Sequence, residues 1–208
     1  MSRHYQKRET KGHGALGFIL TFIVIIVIIG AAIFFFTGGM NGIKSKVYSI
    51  FYPQSYSEQV SANAAEFSVD EALVYAVMRT ESGFRPEVES HAGAVGLMQL
   101  MPETFEWLQN RLDGEVKYTA EDLKNPDVNI RYGTYFLSLL IPQYDGDVRT
   151  IAAAYNAGTA AVDSWLSDSQ YSSDGKHLST IPYTETSNYA DKVASTFEMY
   201  KQLYYDNN

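Results

Sequence analysis

Residues 69–82 read VDEALVYAVMRTES, and they set the reading of the rest of the chain. Leu73, Val77 and Glu81 are spaced by four, and Val74 and Met78 lie seven and three residues before Glu81. That period predicts an α-helix with one apolar stripe. Ser68 followed by Glu71 has the form of a capping box that opens the helix, and Gly83 stops it. Glu81 is then poorly placed twice over. It faces the interior, and it sits at a helix C-terminus, where the backbone dipole favours cations. Both effects raise a carboxyl pKa. A carboxyl kept protonated near neutral pH suits general-acid catalysis of glycoside cleavage. An ion pair with Arg79 or Arg85 is the competing account of the same residue.

Helical signals continue on the C-terminal side, with no alternating strand pattern of more than a few residues. A helix begins near Pro102 and carries Phe105, Trp107 and Leu108, and a short one comes after Thr119. Residues 127–141 form a longer helix with Pro142 as its expected end. Two more cover 147–156 and 159–166, separated by Gly158, and the last spans about 185–204. The Ser-rich loop at 167–183 is expected to be mobile. The fold class is therefore all-α.

On the N-terminal side, residues 16–36 (LGFILTFIVIIVIIGAAIFFF) contain no charge. About 20 apolar residues span a bilayer core. Arg3, Lys7, Arg8 and Lys11 against Glu9 give the preceding segment a charge of +3. The positive-inside rule puts it in the cytoplasm and the remainder outside. A cleaved signal peptide has a shorter apolar core and a small-residue cleavage site, which FFFTGGM offers poorly. The expected organisation is a basic tail at 1–15, a transmembrane anchor at 16–36, a stalk at 37–57 and a helical domain at 58–204. Residues 37–208 hold 12 basic and 23 acidic side chains, a charge of −11, which argues against nucleic acid as a ligand. With no Cys, disulfides, thiol chemistry and a lipoprotein anchor are excluded. His4, His13, His91 and His177 have no metal-ligand spacing, and no GxSxG motif marks a serine nucleophile. Neither metal nor cofactor is expected.

Four further segments combine with Glu81-Ser82. SHAGAVGLMQLMP at 90–102 is rich in small residues that allow close backbone approach, and Gln99 and its two methionines suit a cleft wall. NIRYG occupies 129–133, AAYNAG occupies 153–158, and IPYTETSNY at 181–189 sets Glu185 and Tyr189 four apart on one helix face. Taken singly, Tyr155 reads as core and Glu185 as a favourable first-turn residue. In this order the five segments resemble the soluble lytic transglycosylase (SLT) family, over roughly 58–204.

The resemblance implies a lysozyme-like domain that cleaves peptidoglycan between MurNAc and GlcNAc, leaving a 1,6-anhydroMurNAc end. It implies Glu81 as catalytic acid and base, with Ser90, Gln99, Met101, Tyr155, Asn156, Glu185 and Tyr189 lining or supporting the cleft. Ser187 stands where the family's last motif commonly has Arg. The implied partners are peptidoglycan strands and the membrane. An outward-facing anchored enzyme also fits a cell-envelope, secretion or conjugation assembly. Two other readings share the scaffold: a muramidase that uses water in place of the sugar's C6 hydroxyl, and an inactive peptidoglycan-binding protein.

Overall fold

In the computed structural model the described residues are 13–36 and 47–206, excepting the side chains of 13–19, 21 and 36. The basic tail with Arg3, Lys7, Arg8 and Lys11, and stalk residues 37–46, lie outside the described residues. The chain divides after Phe51 into two units.

The first unit contains helix α1 (His13–Phe36). Its described large apolar side chains, from Leu20 and Phe22 to Phe34 and Phe35, are exposed. Among the described residues no helix is long and apolar enough to cross a membrane, and the uncharged run at 16–36 is described only in part.

The second unit holds seven α-helices among its described residues: α2 (Ser57–Phe67), α3 (Glu71–Glu81), α4 (Pro102–Asp113), α5 (Pro126–Gln143), α6 (Val148–Ala157), α7 (Thr159–Leu166) and α8 (Thr184–Tyr200). A short 3₁₀ turn spans Ala120–Lys124, and a π turn, Lys201–Tyr205, extends α8. The only β pairing among the described residues is two isolated bridges, Glu89 with Val95 and Val95 with Leu100. The all-α expectation agrees with this architecture.

Helix α3 is the axis of the unit. Ala72 through Met78 are all buried, so the helix is enclosed on every side and not along one stripe. An all-round apolar surface is what central burial requires. Helix α8 packs against both α3 and α6, and α2 packs against α5. Tyr75 stacks on Tyr200 with ring centroids 5.2 Å apart. Packing begins before α2, inside the segment read as stalk: Tyr52 meets the Tyr200 ring edge-on at 5.7 Å, and the Tyr200 hydroxyl donates to the Pro53 carbonyl at 2.9 Å.

Three local readings need correction or refinement. Ser68 does not cap α3. It adopts φ 56° as the C-cap of α2, and Asp70 is the N-cap of α3, its carboxylate accepting from the Ala72 N–H at 2.9 Å. The left-handed turn at Ser68 ends α2 and leaves Asp70, two residues on, to open α3. Pro142 does not end α5, which runs to Gln143. In a last, exposed turn the missing N–H costs one hydrogen bond at a place where the helix is ending anyway. The loop at 167–183 is tied down: Leu178 and Ile181 are buried, and Arg149 Nη1 donates to the Leu178 carbonyl at 2.9 Å.

Candidate active site

Glu81 is the last residue of α3, and the chain beyond it folds back to build one wall of a cleft. The Ser82 hydroxyl bridges helix and wall, lying 3.2 Å from the Met78 carbonyl and 2.8 Å from that of Leu97. The 93–101 segment then docks on α5 at two points where no larger residue fits. A Cβ on Gly96 would lie 2.2 Å from Asn129 Nδ2 and 2.3 Å from the Leu123 carbonyl oxygen, and its φ of +85° favours glycine independently. A Cβ on Gly133 would lie 2.3 Å from Met98 Sδ.

Asn129, fully buried on α5, fastens the segment. Its Oδ1 accepts from the Met98 N–H at 2.7 Å, and its Nδ2 donates to the carbonyls of Val95 and Leu123 at 2.9 and 2.8 Å. Gln99 adopts φ 49°, a region costly for a side-chain-bearing residue. It is held there by its own amide, which donates to the carbonyls of Val88 and Gly96, both at 2.9 Å.

The resulting cleft encloses about 690 Å³. Glu81, Ser90, Gln99, Met101, Tyr155, Asn156 and Glu185 all line it, so seven of the eight residues singled out in the sequence converge on one site. The eighth, Tyr189, is not part of the lining. It stands behind the acid, its hydroxyl donating to Glu81 Oε1 at 2.6 Å. The Tyr155 hydroxyl donates to the Met98 carbonyl at 2.9 Å, so this ring braces the wall as well as lining it. Asn156 Oδ1 accepts from the Thr186 hydroxyl at 2.8 Å, joining α6 to α8 in the cleft lining. Ser90 Oγ accepts from the Ala94 N–H at 3.0 Å and shapes the turn.

Burial pushes the Glu81 carboxyl up to about 7, opposed by the Tyr189 hydrogen bond and by the positive charge of Lys192. The two phenols beside it, Tyr155 and Tyr189, are pushed well above their ordinary range by burial and by the Glu81 charge. Neither arginine weighed as a partner pairs with Glu81. Arg79 lies over the Tyr52 ring at 4.3 Å, and Arg85 Nε donates to the Ser82 carbonyl. Glu185 is the one other carboxyl lining the cleft among the described residues, and it is exposed. Glu103 and Glu106 are exposed on α4. Among the described residues no three His, Cys, Asp or Glu side chains are grouped so as to hold a metal ion.

Sequence reasoning gave no role to Asn129, Ser82 or Thr186. All three stand inside segments quoted for the resemblance, and Asn129 is in addition a polar residue between Val128 and Ile130, buried together with Tyr132 and Gly133.

Residues 58–178 match the family described as the transglycosylase SLT domain. The chain belongs to this family. It is 34% identical over 161 residues to a putative soluble lytic murein transglycosylase of Haemophilus influenzae, covering 74% of this chain and 26% of that one. It is 36% identical over 117 residues to the membrane-bound lytic murein transglycosylase C of Histophilus somni, covering 52% of this chain and 32% of the relative. Among solved structures it resembles an inactive mutant of the lytic transglycosylase Slt of Pseudomonas aeruginosa. The TM-score is 0.65 at 34% identity, over 74% of this chain and 25% of that one. The chain thus spans about a quarter of the length of the first of these relatives.

Proposed function

We propose that this SLT-family chain is a membrane-anchored peptidoglycan lytic transglycosylase, with Glu81 as the group that first gives and then takes a proton. The observation that carries this reading is a buried carboxyl lining a cleft, held up to about 7 by burial and touched by one phenol donor. A group in that range supplies the acid and its conjugate base with comparable ease at neutral pH.

Glu81 donates its proton to the oxygen between MurNAc and GlcNAc as the C1–O bond breaks. The muramyl ring passes through an oxocarbenium-like state, stabilised by its own N-acetyl carbonyl. The C6 hydroxyl then attacks C1 and its proton returns to Glu81, closing a 1,6-anhydro ring. No water is consumed. Tyr189 stabilises the carboxylate between the two transfers. Asn156, whose Oδ1 is engaged by Thr186, has its Nδ2 available to orient the N-acetyl group. Ser90, Gln99, Met101 and Tyr155 shape the wall against which the strand lies, and Glu185, also in the lining, has a supporting, orienting role. In the Glu81→Gln variant wall-lytic activity should fall by at least ~10²-fold, the usual worth of general acid–base catalysis. A folded variant that keeps a tenth of native activity would refute the assignment.

The anchor reading rests on the uncharged 16–36 run behind a +3 segment, and on the exposed apolar side chains of α1. It places the enzyme on the outer side of the cell membrane. Cell-envelope, secretion or conjugation assemblies are then natural partners for a catalytic domain so held.

A further inference from the structure

Trp107 lies on the outer side of α4 with 47% of its surface exposed, and Arg111, one turn on, holds its guanidinium carbon 5.5 Å above the indole ring. The cations of this acidic domain are mostly paired: Lys124 with Glu121, Arg131 with Glu66, Arg149 with Asp191, Lys201 with Asp70. Arg111 makes no ion pair among the described residues. Beside it opens a groove of about 380 Å³, whose lining includes Trp107, Arg111, Phe136, Leu139, Pro142 and Thr159.

A chain of aromatic contacts links this groove to the catalytic cleft. Phe136 meets Trp107 edge-on at 6.5 Å and packs on Tyr155 at 5.0 Å, and Tyr155 lines the cleft. Thr159 comes two residues after Ala157, another cleft residue, and α4 starts directly after Met101 at the cleft rim.

A planar guanidinium, pre-oriented on an indole and lacking an acidic partner, suits a carboxylate, which it can grip through two parallel hydrogen bonds. The apolar floor beside it suits short aliphatic side chains. Arg111 covers one face of the indole and Phe136 meets the ring edge-on, which leaves less of the ring open to a stacked sugar. We infer that this groove receives the acidic stem peptide borne by a muramyl residue of the strand in the cleft. Arg111 holds a stem carboxylate, and Phe136, Leu139 and Pro142 cover the neighbouring alkyl groups. The inference rests on the peptidoglycan reading of the cleft.

The test compares full-length wild type, Arg111→Gln and Arg111→Lys in detergent micelles. The substrates are wall strands with their stems intact and the same strands stripped by an amidase. For Arg111→Gln, KM on stem-bearing strands should rise about tenfold more than on stripped strands, as expected for loss of one charge-assisted contact, with kcat little changed. Arg111→Lys should recover part of the loss. Equal losses on both substrates, or no loss on either, would overturn the inference. If wild type cuts neither substrate, the reading of the cleft has failed instead. Titration of soluble stem pentapeptide then decides the groove alone: binding weakened about tenfold in Arg111→Gln supports it, and no binding to wild type overturns it.

Discussion

The Tyr189 hydroxyl donates a 2.6 Å hydrogen bond to Glu81 Oε1 across 108 residues of sequence. It joins the last turn of α3 to the second turn of α8, and it works against burial by favouring the carboxylate. Tyr189→Phe removes a favourable contact of the charged form, so the Glu81 pKa should rise beyond about 7. The proposed reaction begins from the protonated acid, so activity should decline with pH through that pKa. In Tyr189→Phe the alkaline limb of kcat/KM should therefore move to higher pH, while the plateau falls because the base loses its donor. A limb moving to lower pH would show that the phenol does something else.

The same carboxyl bears on stability. Its folded pKa of about 7 exceeds the ordinary 4.5, so between these values the folded protein holds a proton that the unfolded chain has released. Stability from this group is thus lost as pH rises through that window. Glu81→Gln has nearly the same shape and does not titrate. It should unfold at higher urea concentration than wild type at pH 8, by at most ~3 kcal/mol for a shift of this size, and the two should converge near pH 4. A variant less stable than wild type at pH 8 would mean that the carboxylate is better solvated than its burial implies.

Much of this site was legible in the sequence, for a specific reason. Leu73, Val77 and Glu81 share a period of four, so a carboxyl on a buried helix end came from spacing alone. Tyr155 and Glu185 could be named only because their motifs resemble a family. Nothing local says that the Tyr155 hydroxyl reaches the Met98 carbonyl, or that Tyr189 lies behind the acid and not on the cleft wall. Those contacts join residues 57 and 108 positions apart, and tertiary packing sets them. The error at Ser68 was of the opposite kind. The Ser68–Glu71 pattern has the form of a cap, but Ser68 is taken up in closing α2, and the Asp70 carboxylate caps α3 instead.

Asn129 and Gly96 form one joint, and both sides of it can be tested. Asn129→Ala strands the Met98 N–H and two carbonyls in a buried place, each at a cost of ~1–3 kcal/mol. Gly96→Ala drives a methyl group into the Leu123 carbonyl and the Asn129 amide. Each change should lower the urea midpoint and reduce activity, although neither residue lines the cleft. Native-like stability in Gly96→Ala would contradict the docking of this segment on α5.

The proposed topology can be read by proteolysis. With residues 16–36 as a span and the +3 segment inside, protease added to spheroplasts should remove the helical domain and spare an N-terminal tag. Lysis before digestion should remove both. An intact helical domain in spheroplasts, alongside full digestion after lysis, would place it on the cytoplasmic side.

The product separates the two chemistries that this scaffold allows. Standard glycosidases use two carboxyl groups, about 5–9.5 Å apart, one of them serving as nucleophile or as base for water. Here Glu81 is buried, whereas Glu185, the other carboxyl on the cleft among the described residues, is exposed in the first turn of α8. Glu81 in its buried site, held up to about 7, is suited to both proton transfers. The C6 hydroxyl of the bound sugar is already in place, and intramolecular attack reaches effective molarities of up to ~10⁵–10⁸ M. Bulk water does not match that unless a side chain positions it. Digestion of purified wall should therefore release muropeptides ending in 1,6-anhydroMurNAc, each lighter by one water than a hydrolytic product. Glu185→Gln should slow the reaction less than Glu81→Gln and leave that mass unchanged. If reducing MurNAc ends dominate in wild type and disappear in Glu185→Gln, then Glu185 activates water. The enzyme would then be a muramidase, with Glu81 still its acid.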